Sequence, residues 1–301
     1  MENTILPGRT GKFEIPGRVT FAHGSGGLPK INIATGRSTA EIYLHGAHVT
    51  GFQKNGEPPL LFMSRLGQFV AGKAIRGGVP ICLPWFGQRE GEPEHGFVRI
   101  RSWELVETSA GQDGTVTIRQ RLPKDAARPE WSALHTEFVV TISDRLTMEL
   151  MAANESADKR LEIENCLHTY FQVGDINRVS ITGLQGAPFN DFAAGAAGAR
   201  KVENDAVLRI TKETNRVYPD ATGTVEIRDE NLARIIRVEK FNAKSTVIWN
   251  PWTTQKLPGD FDPAEHRQMV CVESGNVKQN KIKLAPGATT VTKVVLSSHA
   301  V

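Results

Sequence analysis

The feature that most constrains this chain is a long succession of short β-forming runs that follow one another without helices between them. Turn residues separate the runs, and Asp113-Gly114, a dipeptide typical of hairpins, joins two of them. Strands without intervening helices favour antiparallel sheets packed face to face, so we predict an all-β fold, a large antiparallel β-sandwich. The predicted strands are residues 40–44, 49–52, 103–108, 115–121, 137–143, 147–152, 161–173, 179–181, 207–210, 224–228, 235–239, 245–249, 269–273 and 290–296.

The length of 301 residues would allow two domains, but large all-β folds of this size often form one. No linker, internal repeat or low-complexity tract divides the sequence. We therefore predict a single domain over residues 1–301, with residues 1–30, which are rich in Gly and Pro, as an irregular N-terminal arm.

The composition disfavours several classes of partner. The net charge is only +3, from 36 Lys and Arg against 33 Asp and Glu, which is too weak for a nucleic-acid or membrane surface. The three cysteines show neither paired nor metal-ligand spacing and are typical of reduced cytosolic thiols. The N-terminal residues lack the apolar run of a signal peptide. We expect a cytoplasmic protein, a monomer, that binds neither nucleic acid nor membranes.

Residues 74–99 are too rich in Gly and Pro to form a helix or a central strand, so they predict a long loop. The loop also carries large apolar side chains, which indicates that it packs down as a fixed wall. Such a wall can aim Arg76, His95 and Arg99, and strand-like spacing would place His95, Phe97 and Arg99 on one face. The alternative is that both arginines bind loop carbonyls and that His95 has no chemical role.

Two predicted strands present polar side chains opposite an apolar face. In residues 161–173, His168 lies on a face with Cys166 and Tyr170, which is more typical of a pocket than of a solvated surface. In residues 269–273, Glu273 is the one charge in an apolar strand, and a buried carboxylate requires a partner. His168 and Glu273 could form an acid/base pair, because partial burial and mutual proximity can bring their pKa values near the working pH. The alternative is a purely structural hydrogen bond.

A third segment combines aromatic rings with an amide. Trp249 and Trp252 flank Asn250, and sugar sites commonly pair an apolar ring platform with amide hydrogen bonds. Tryptophans of the hydrophobic core are the ordinary alternative.

Together these segments resemble the aldose 1-epimerase, or mutarotase, superfamily, and within it the glucose-6-phosphate 1-epimerase branch. The matching motifs cover most of residues 40–295 and occur in the expected order. They are residues 75–80 (IRGGVP), 84–87 (PWFG), 95–99 (HGFVR), 167–171 (LHTYF), 213–218 (ETNRVY), 247–252 (VIWNPW) and 269–273 (MVCVE).

The resemblance implies a galactose-mutarotase-like super-sandwich with the sugar site on its concave face. It implies that His168 is the general acid and Glu273 the general base, which requires His168 protonated and Glu273 ionised. It also implies that Arg76 and Arg99 bind the substrate with His95 beside it. It also implies that neither a metal nor an organic cofactor is needed.

Two residues depart from the pattern of this branch. Glu94 stands where Gln is common, and Asn215 stands where Asp is common. Both are expected to contact sugar hydroxyls, so these departures affect the sugar preference and leave the acid/base pair unchanged.

The expected function is interconversion of the α and β anomers of a hexose 6-phosphate, above all glucose 6-phosphate, by ring opening and closure. Arginine suits a phosphate because its planar fork donates two hydrogen bonds at once. Two alternatives stay open: a mutarotase for neutral aldoses, and a non-catalytic protein that binds a sugar phosphate.

Overall fold

The computed structural model describes residues 11–301, and their regular structure is almost entirely β-strand. In chain order the strands are β1 (Val19–His23), β2 (Pro29–Ala34), β3 (Ser38–Tyr43), β4 (His48–Lys54), β5 (Ile81–Cys82), β6 (Glu104–Ala110), β7 (Val116–Arg121), β8 (Leu134–Ile142), β9 (Leu146–Asn154), β10 (Leu161–Ile163), β11 (Asn165–Leu167), β12 (Tyr170–Gln172), β13 (Val179–Thr182), β14 (Pro188–Asp191), β15 (Ala199–Val202), β16 (Thr214–Tyr218), β17 (Val225–Asp229), β18 (Arg234–Phe241), β19 (Ser245–Asn250), β20 (Met269–Asn276), β21 (Ile282–Leu284) and β22 (Thr289–Ala300).

The helices of the described residues are short 3₁₀ turns, and none of them has the length and apolar character to cross a membrane. Their bounds are Gly11–Phe13, Ser25–Gly27, Val98–Ile100, Lys124–Ala126, Pro129–Trp131, Ile176–Arg178, Pro263–Gln268 and Lys278–Asn280.

Two eight-stranded antiparallel sheets form the body of the protein. The cleft sheet has the order β15-β14-β16-β19-β20-β11-β5, with β12 also paired to β20. The back sheet has the order β13-β17-β18-β22-β9-β8-β7-β6. A four-stranded sheet of β1 to β4 and a two-stranded pair of β10 and β21 complete the fold. The prediction of an all-β fold built on a large antiparallel sandwich is confirmed.

The hydrophobic core lies between the two large sheets. In the back sheet, β8 and β9 alternate buried and partly exposed residues, as expected for strands with one solvated face. In the cleft sheet, β19 and β20 are buried along both faces. Val270 and Val272 of β20 join the same apolar cluster as Phe138 and Val140 of β8. The second face of β20 is therefore left for the functional site.

Several local predictions were wrong. Residues 161–173 form three short strands, β10, β11 and β12, because the chain breaks its pairing between them. Residues 207–210 form no strand, only a bridge between Ile181 and Leu208. Residues 11–30, expected to be irregular, contain β1 and the start of β2, because their apolar side chains pack on the four-stranded sheet. Residues 1–10 of the predicted arm lie outside the described residues.

Candidate active site

The loop of residues 74–99 forms one wall of the site and is held in place by its backbone. Leu83 and Gly96 make a parallel bridge, and a Cβ at Gly96 would lie 1.8 Å from the Leu83 carbonyl oxygen. Gly96 has φ +79° and His95 has φ +61°, so the chain turns sharply at this point. The strand-like face predicted for His95, Phe97 and Arg99 was wrong, because this turn is followed by the 3₁₀ helix Val98–Ile100.

His168 and Glu273 are brought together by the register of the cleft sheet. Leu167 pairs with Ser274 and Tyr170 pairs with Cys271, so the same register continues across the break between β11 and β12. His168 therefore stands opposite Glu273, with its Nε2 3.4 Å from Glu273 Oε1. Both side chains are buried, at 7% and 1% exposure.

The electrostatics of this pair differ from the expected ion pair. Burial lowers the pKa of His168 well below its usual value, and the positive charges of Arg99 and Arg76 lower it further. Burial also raises the pKa of Glu273 well above the usual value for a carboxyl. In the unliganded protein the proton is therefore favoured on the Glu273 carboxyl, with the His168 imidazole neutral.

Aromatic rings fix the orientation of His168. Its imidazole stacks on the Tyr170 ring at 4.7 Å with an interplanar angle of 9°. The rings of His95 and Trp249 meet it edge to face, at 5.4 and 6.1 Å. The His168 Nδ1 atom is buried and has no hydrogen-bond partner within residues 11–301. The ring is thus positioned by packing and keeps one nitrogen available.

The hydrogen bonds of His95 select its tautomer. The backbone N–H of Gly87 donates to His95 Nδ1 at 3.1 Å, so in the neutral imidazole the proton is on Nε2. Burial lowers the pKa of His95 well below its usual value, with a further contribution from Arg99, so the neutral form persists. His95 consequently offers an N–H donor at its Nε2.

These groups border a cleft of about 750 Å³, a size suited to a small ligand. Of the predicted site residues, the structure brings seven to its lining: Arg76, Glu94, His95, His168, Asn215, Trp249 and Glu273. The Trp249 indole N–H donates to Gln255 Oε1 at 2.9 Å, so this side chain is held as part of the wall.

Two predicted site residues are not part of the lining. The Asn250 amide donates to the backbone carbonyls of His266 and Met269, and its oxygen accepts the backbone N–H of Trp252. Asn250 is fully buried and holds the turn after β19. Arg99 donates to the Glu94 carbonyl at 2.7 Å and acts on the cleft through its charge.

A second loop, residues 251–262, was not predicted, and its residues 255–258 line the cleft. Asp260 in this loop binds Arg76 through both Nε and Nη2, at 3.3 and 3.2 Å, and Tyr170 accepts a further bond from Arg76. Lys256 of the loop lines the cleft together with Lys278. Pro258 and Gly259 of this loop are the residue types that predicted a loop over residues 74–99, so the same criterion could have found it.

The cleft also contains a nitrogen, a sulfur and an oxygen atom within 4.8 Å of one another, from His168, Cys271 and Glu273. The positive charge of Arg76 acts on Cys271 and His168, and that of Arg99 on His168 and Glu273. Because these charges oppose a cation, we assign no metal to these residues.

The fold first defines a class, because its large antiparallel sheets match the galactose-mutarotase-like fold. A galactose mutarotase-like protein from Clostridium acetobutylicum matches with a TM-score of 0.70 and 13% identity, covering 94% of this chain and 98% of that chain. The chain belongs to the aldose 1-epimerase family, whose family model matches residues 29–297. The resemblance seen in the sequence motifs is thereby confirmed at the level of the family.

Individual relatives agree with this assignment. A protein from Cenchrus ciliaris named "Putative glucose-6-phosphate 1-epimerase" is 31% identical over 283 residues, 90% of this chain and 85% of that protein. One of the same name from Escherichia coli is 33% identical over 245 residues, 80% of this chain and 81% of that protein. The crystal structure of a "putative mutarotase" from Salmonella typhimurium matches with a TM-score of 0.86 and 26% identity, covering 96% of each chain.

Proposed function

We propose that this protein is an epimerase that interconverts the α and β anomers of hexose 6-phosphates, with glucose 6-phosphate as its principal substrate. The observation that carries the proposal is the buried pair of His168 and Glu273, 3.4 Å apart in a cleft of sugar size. The names of the relatives support the choice of glucose 6-phosphate.

In the proposed reaction one member of the pair takes the proton of the anomeric hydroxyl while the other protonates the ring oxygen. Glu273 acts as the base and His168 as the acid; after the carbonyl rotates, the roles reverse and the ring closes. The ion pair and the neutral pair hold the same number of protons, so either form contains one proton to donate and one site to accept. Glu273 can accept and His168 can donate only in the ion-pair form, so we propose that substrate binding moves the shared proton from Glu273 to His168 before the ring opens.

Around this pair we assign the other lining residues to substrate binding. His95 would donate its Nε2–H, Glu94 and Asn215 would contact hydroxyls, and Trp249 would face the sugar ring. Arg99 is proposed to act through its charge, because its guanidinium already donates to the Glu94 carbonyl.

The phosphate is assigned to the cationic part of the cleft. Arg76 is the bidentate donor there, and its ion pair with Asp260 would have to open or be shared. Lys256 and Lys278 line the same cleft and form no ion pair within residues 11–301. Their free charges favour a dianionic group.

A mutarotase for neutral aldoses is the second candidate, and one observation favours it. The Arg76 guanidinium is already occupied by Asp260 and Tyr170, so it could serve only to fix the two loops. A non-catalytic binding protein has less support, because simple binding does not require two titratable groups buried against each other.

The test of the catalytic proposal is anomerisation of freshly dissolved α-glucose 6-phosphate, followed beside α-glucose. We expect His168→Asn and Glu273→Gln each to lower turnover by about 10²–10⁴-fold, and the double variant to be little worse than either single one. The matched control is His45→Asn, since His45 is also buried but bonds the Lys73 carbonyl away from the cleft. Near-normal turnover of either site variant would refute the assigned acid and base.

The test of the phosphate assignment is Arg76→Ala with both sugars. A charge-assisted hydrogen bond contributes about 1.5–3 kcal/mol, so kcat/KM on glucose 6-phosphate should fall about 10- to 150-fold. Arg76→Lys should restore only part of this, because the ammonium lacks the bidentate fork. An equal loss on glucose would favour the neutral-aldose mutarotase.

We further propose that residues 1–301 act as one domain, as a monomer in the cytoplasm. Both large sheets contribute to one hydrophobic cluster, and residues of one chain line the cleft. The three cysteines are free and buried, which suits a reducing compartment.

A further inference from the structure

We infer that Cys166 is a positioning residue for Glu273: its thiol holds one carboxyl oxygen, so that the other oxygen faces His168 and the substrate. This inference rests on the proposed epimerase function, because it assigns Cys166 a role in controlling the proposed base.

The two oxygens of Glu273 have different partners. Cys166 Sγ donates to Oε2 at 3.7 Å, while Oε1 lies 3.4 Å from His168 Nε2. Within residues 11–301 the thiol provides the one hydrogen bond to this carboxyl group. Cys166 is 1% exposed and is not part of the cleft lining, so its thiol contacts Oε2 from the core side of the carboxyl. The thiol therefore decides which oxygen is available for proton transfer.

The sheet fixes the position of the thiol from two sides. Cys166 pairs with Gly275 on β20 and with Cys82 on β5, so its strand is held between two neighbours. A Cβ at Gly275 would lie 2.6 Å from the Cys166 Cα, so only glycine lets β11 approach β20 this closely. Glu273 precedes Gly275 by two residues and lies on the same face of β20. It is therefore diagonally across from Cys166.

A thiol is suited to this position because it is a weak donor. A hydroxyl or a backbone N–H would fix the carboxyl more firmly, but it would also stabilise the ionised form and make it a weaker base. The thiol restrains the orientation while leaving the carboxyl basic. This is the property that a proton acceptor in a buried site requires.

Other titratable or charged groups also face Glu273. His168 stands opposite it on the neighbouring strand, Cys271 lies on its own strand, and the charge of Arg99 acts from the loop of residues 74–99. Cys82 and Tyr170 are close enough for Glu273 to affect their ionisation. None of these five groups donates a hydrogen bond to the Glu273 carboxyl within the described part of the chain; that bond comes from Cys166.

The experiment compares Cys166→Ser, a near-isosteric stronger donor, with Cys166→Ala, which has no donor. The pH dependence of kcat/KM for anomerisation of glucose 6-phosphate is measured for both. One limb of this pH profile reports loss of the proton that His168 and Glu273 share. This limb should move to lower pH in Cys166→Ser and to higher pH in Cys166→Ala. Cys166→Ala should also lower kcat by about tenfold, with little change in KM. Cys82→Ala is the matched control, since Cys82 is an equally buried thiol on the adjacent strand.

The opposite directions of the two shifts distinguish positioning from packing. A purely structural Cys166 would change stability in both variants and leave the pH profile where it is. Shifts in the same direction for Ser and Ala, no shift in either, or an equal shift in Cys82→Ala would overturn the inference. Should Cys166→Ala fail to fold, the shift to lower pH expected for Cys166→Ser decides the matter by itself.

A second readout is independent of the proposed reaction. The protonated carboxyl of Glu273 is followed by its infrared C=O stretch during a pH titration, with Glu273→Gln as the subtraction control. Its midpoint should fall in Cys166→Ser and rise in Cys166→Ala. If wild-type protein does not anomerise either sugar, the proposed function fails; if it does and these midpoints stay equal, only the inference about Cys166 fails.

Discussion

Glu273→Gln is expected to destroy activity and, above neutral pH, to stabilise the fold. Glu273 is 1% exposed, and burial raises its pKa well above the usual value for a carboxyl. The isosteric amide keeps the packing and removes a group that must either ionise in the core or retain its proton. The substitution that removes the proposed base therefore also removes a carboxyl whose burial lowers the free energy of unfolding.

The sign of the pH dependence follows from linkage. A carboxyl with a raised pKa binds a proton in the folded state that the unfolded chain has already lost, so stability falls as pH rises from the unfolded to the folded pKa. Near pH 4 wild type and variant should therefore be about equally stable. Above this pH, the stability advantage of the variant should grow by about 1.36 kcal/mol per pH unit until the pH reaches the folded-state pKa of Glu273. In a chain of this size each 1 kcal/mol moves Tm by about 2 °C.

The assay is thermal unfolding of both proteins between pH 4 and pH 9, with anomerisation of glucose 6-phosphate measured on the same preparations. Glu265→Gln is a useful comparison, because Glu265 is also buried but accepts bonds from Ser64 and from Arg65. Losing those bonds should destabilise the protein at pH 8. If Glu273→Gln lowered Tm at pH 8 as strongly as Glu265→Gln does, the carboxyl would be stabilising, and our account of its protonation would be wrong.

Three further outcomes follow from contacts in the structure. Asp260→Asn weakens the ion pair that occupies Arg76, so the KM for glucose 6-phosphate should fall about two- to tenfold; an unchanged or higher KM would count against Arg76 as the phosphate ligand. Gly96→Ala places a methyl group against the Leu83 carbonyl in left-handed backbone, and denaturant unfolding should show a loss of more than about 2 kcal/mol. Asn250→Ala should lower Tm by the equivalent of about 1–3 kcal/mol, because its amide donates to two backbone carbonyls. The ratio of kcat/KM on glucose 6-phosphate to kcat/KM on glucose should stay constant; a changed ratio would indicate that Asn250 contacts the substrate.

Much of the fold could be predicted because strands have a period of two. Alternating side chains predicted an apolar face opposite His168 and Tyr170, and the structure agrees, because Leu167 and Phe171 lie in the core while His168 and Tyr170 line the cleft. The same alternation is seen in β20, where Val270 and Val272 lie in the core and Glu273 lines the cleft. A face of a strand is a local property, so the residues themselves determine it. Breaks in pairing are not local, and the division of residues 161–173 into three strands was therefore missed.

The candidate site could be predicted only as a set of residues. The placement of Arg76 and Glu273 on the cleft was accessible from motifs and from the cost of burying charge, whereas Asn250 and Arg99 lie outside the cleft lining. Whether an amide turns toward a ligand or toward the backbone depends on which carbonyls lie beside it, here those of His266 and Met269. No sequence pattern contains that information.

By itself the sequence determined the sheet-rich class, the faces of the strands and the residue types that can transfer a proton. Only the tertiary structure decided that β11 and β12 pair with β20 in the register that sets His168 against Glu273. It also decided that Asp260 occupies Arg76 and that the Cys166 thiol holds the carboxyl. These contacts join residues about a hundred or more positions apart, and burial at the junction sets which group carries the proton. Register and burial are properties of the packed sheets, so they exist only once the chain has folded.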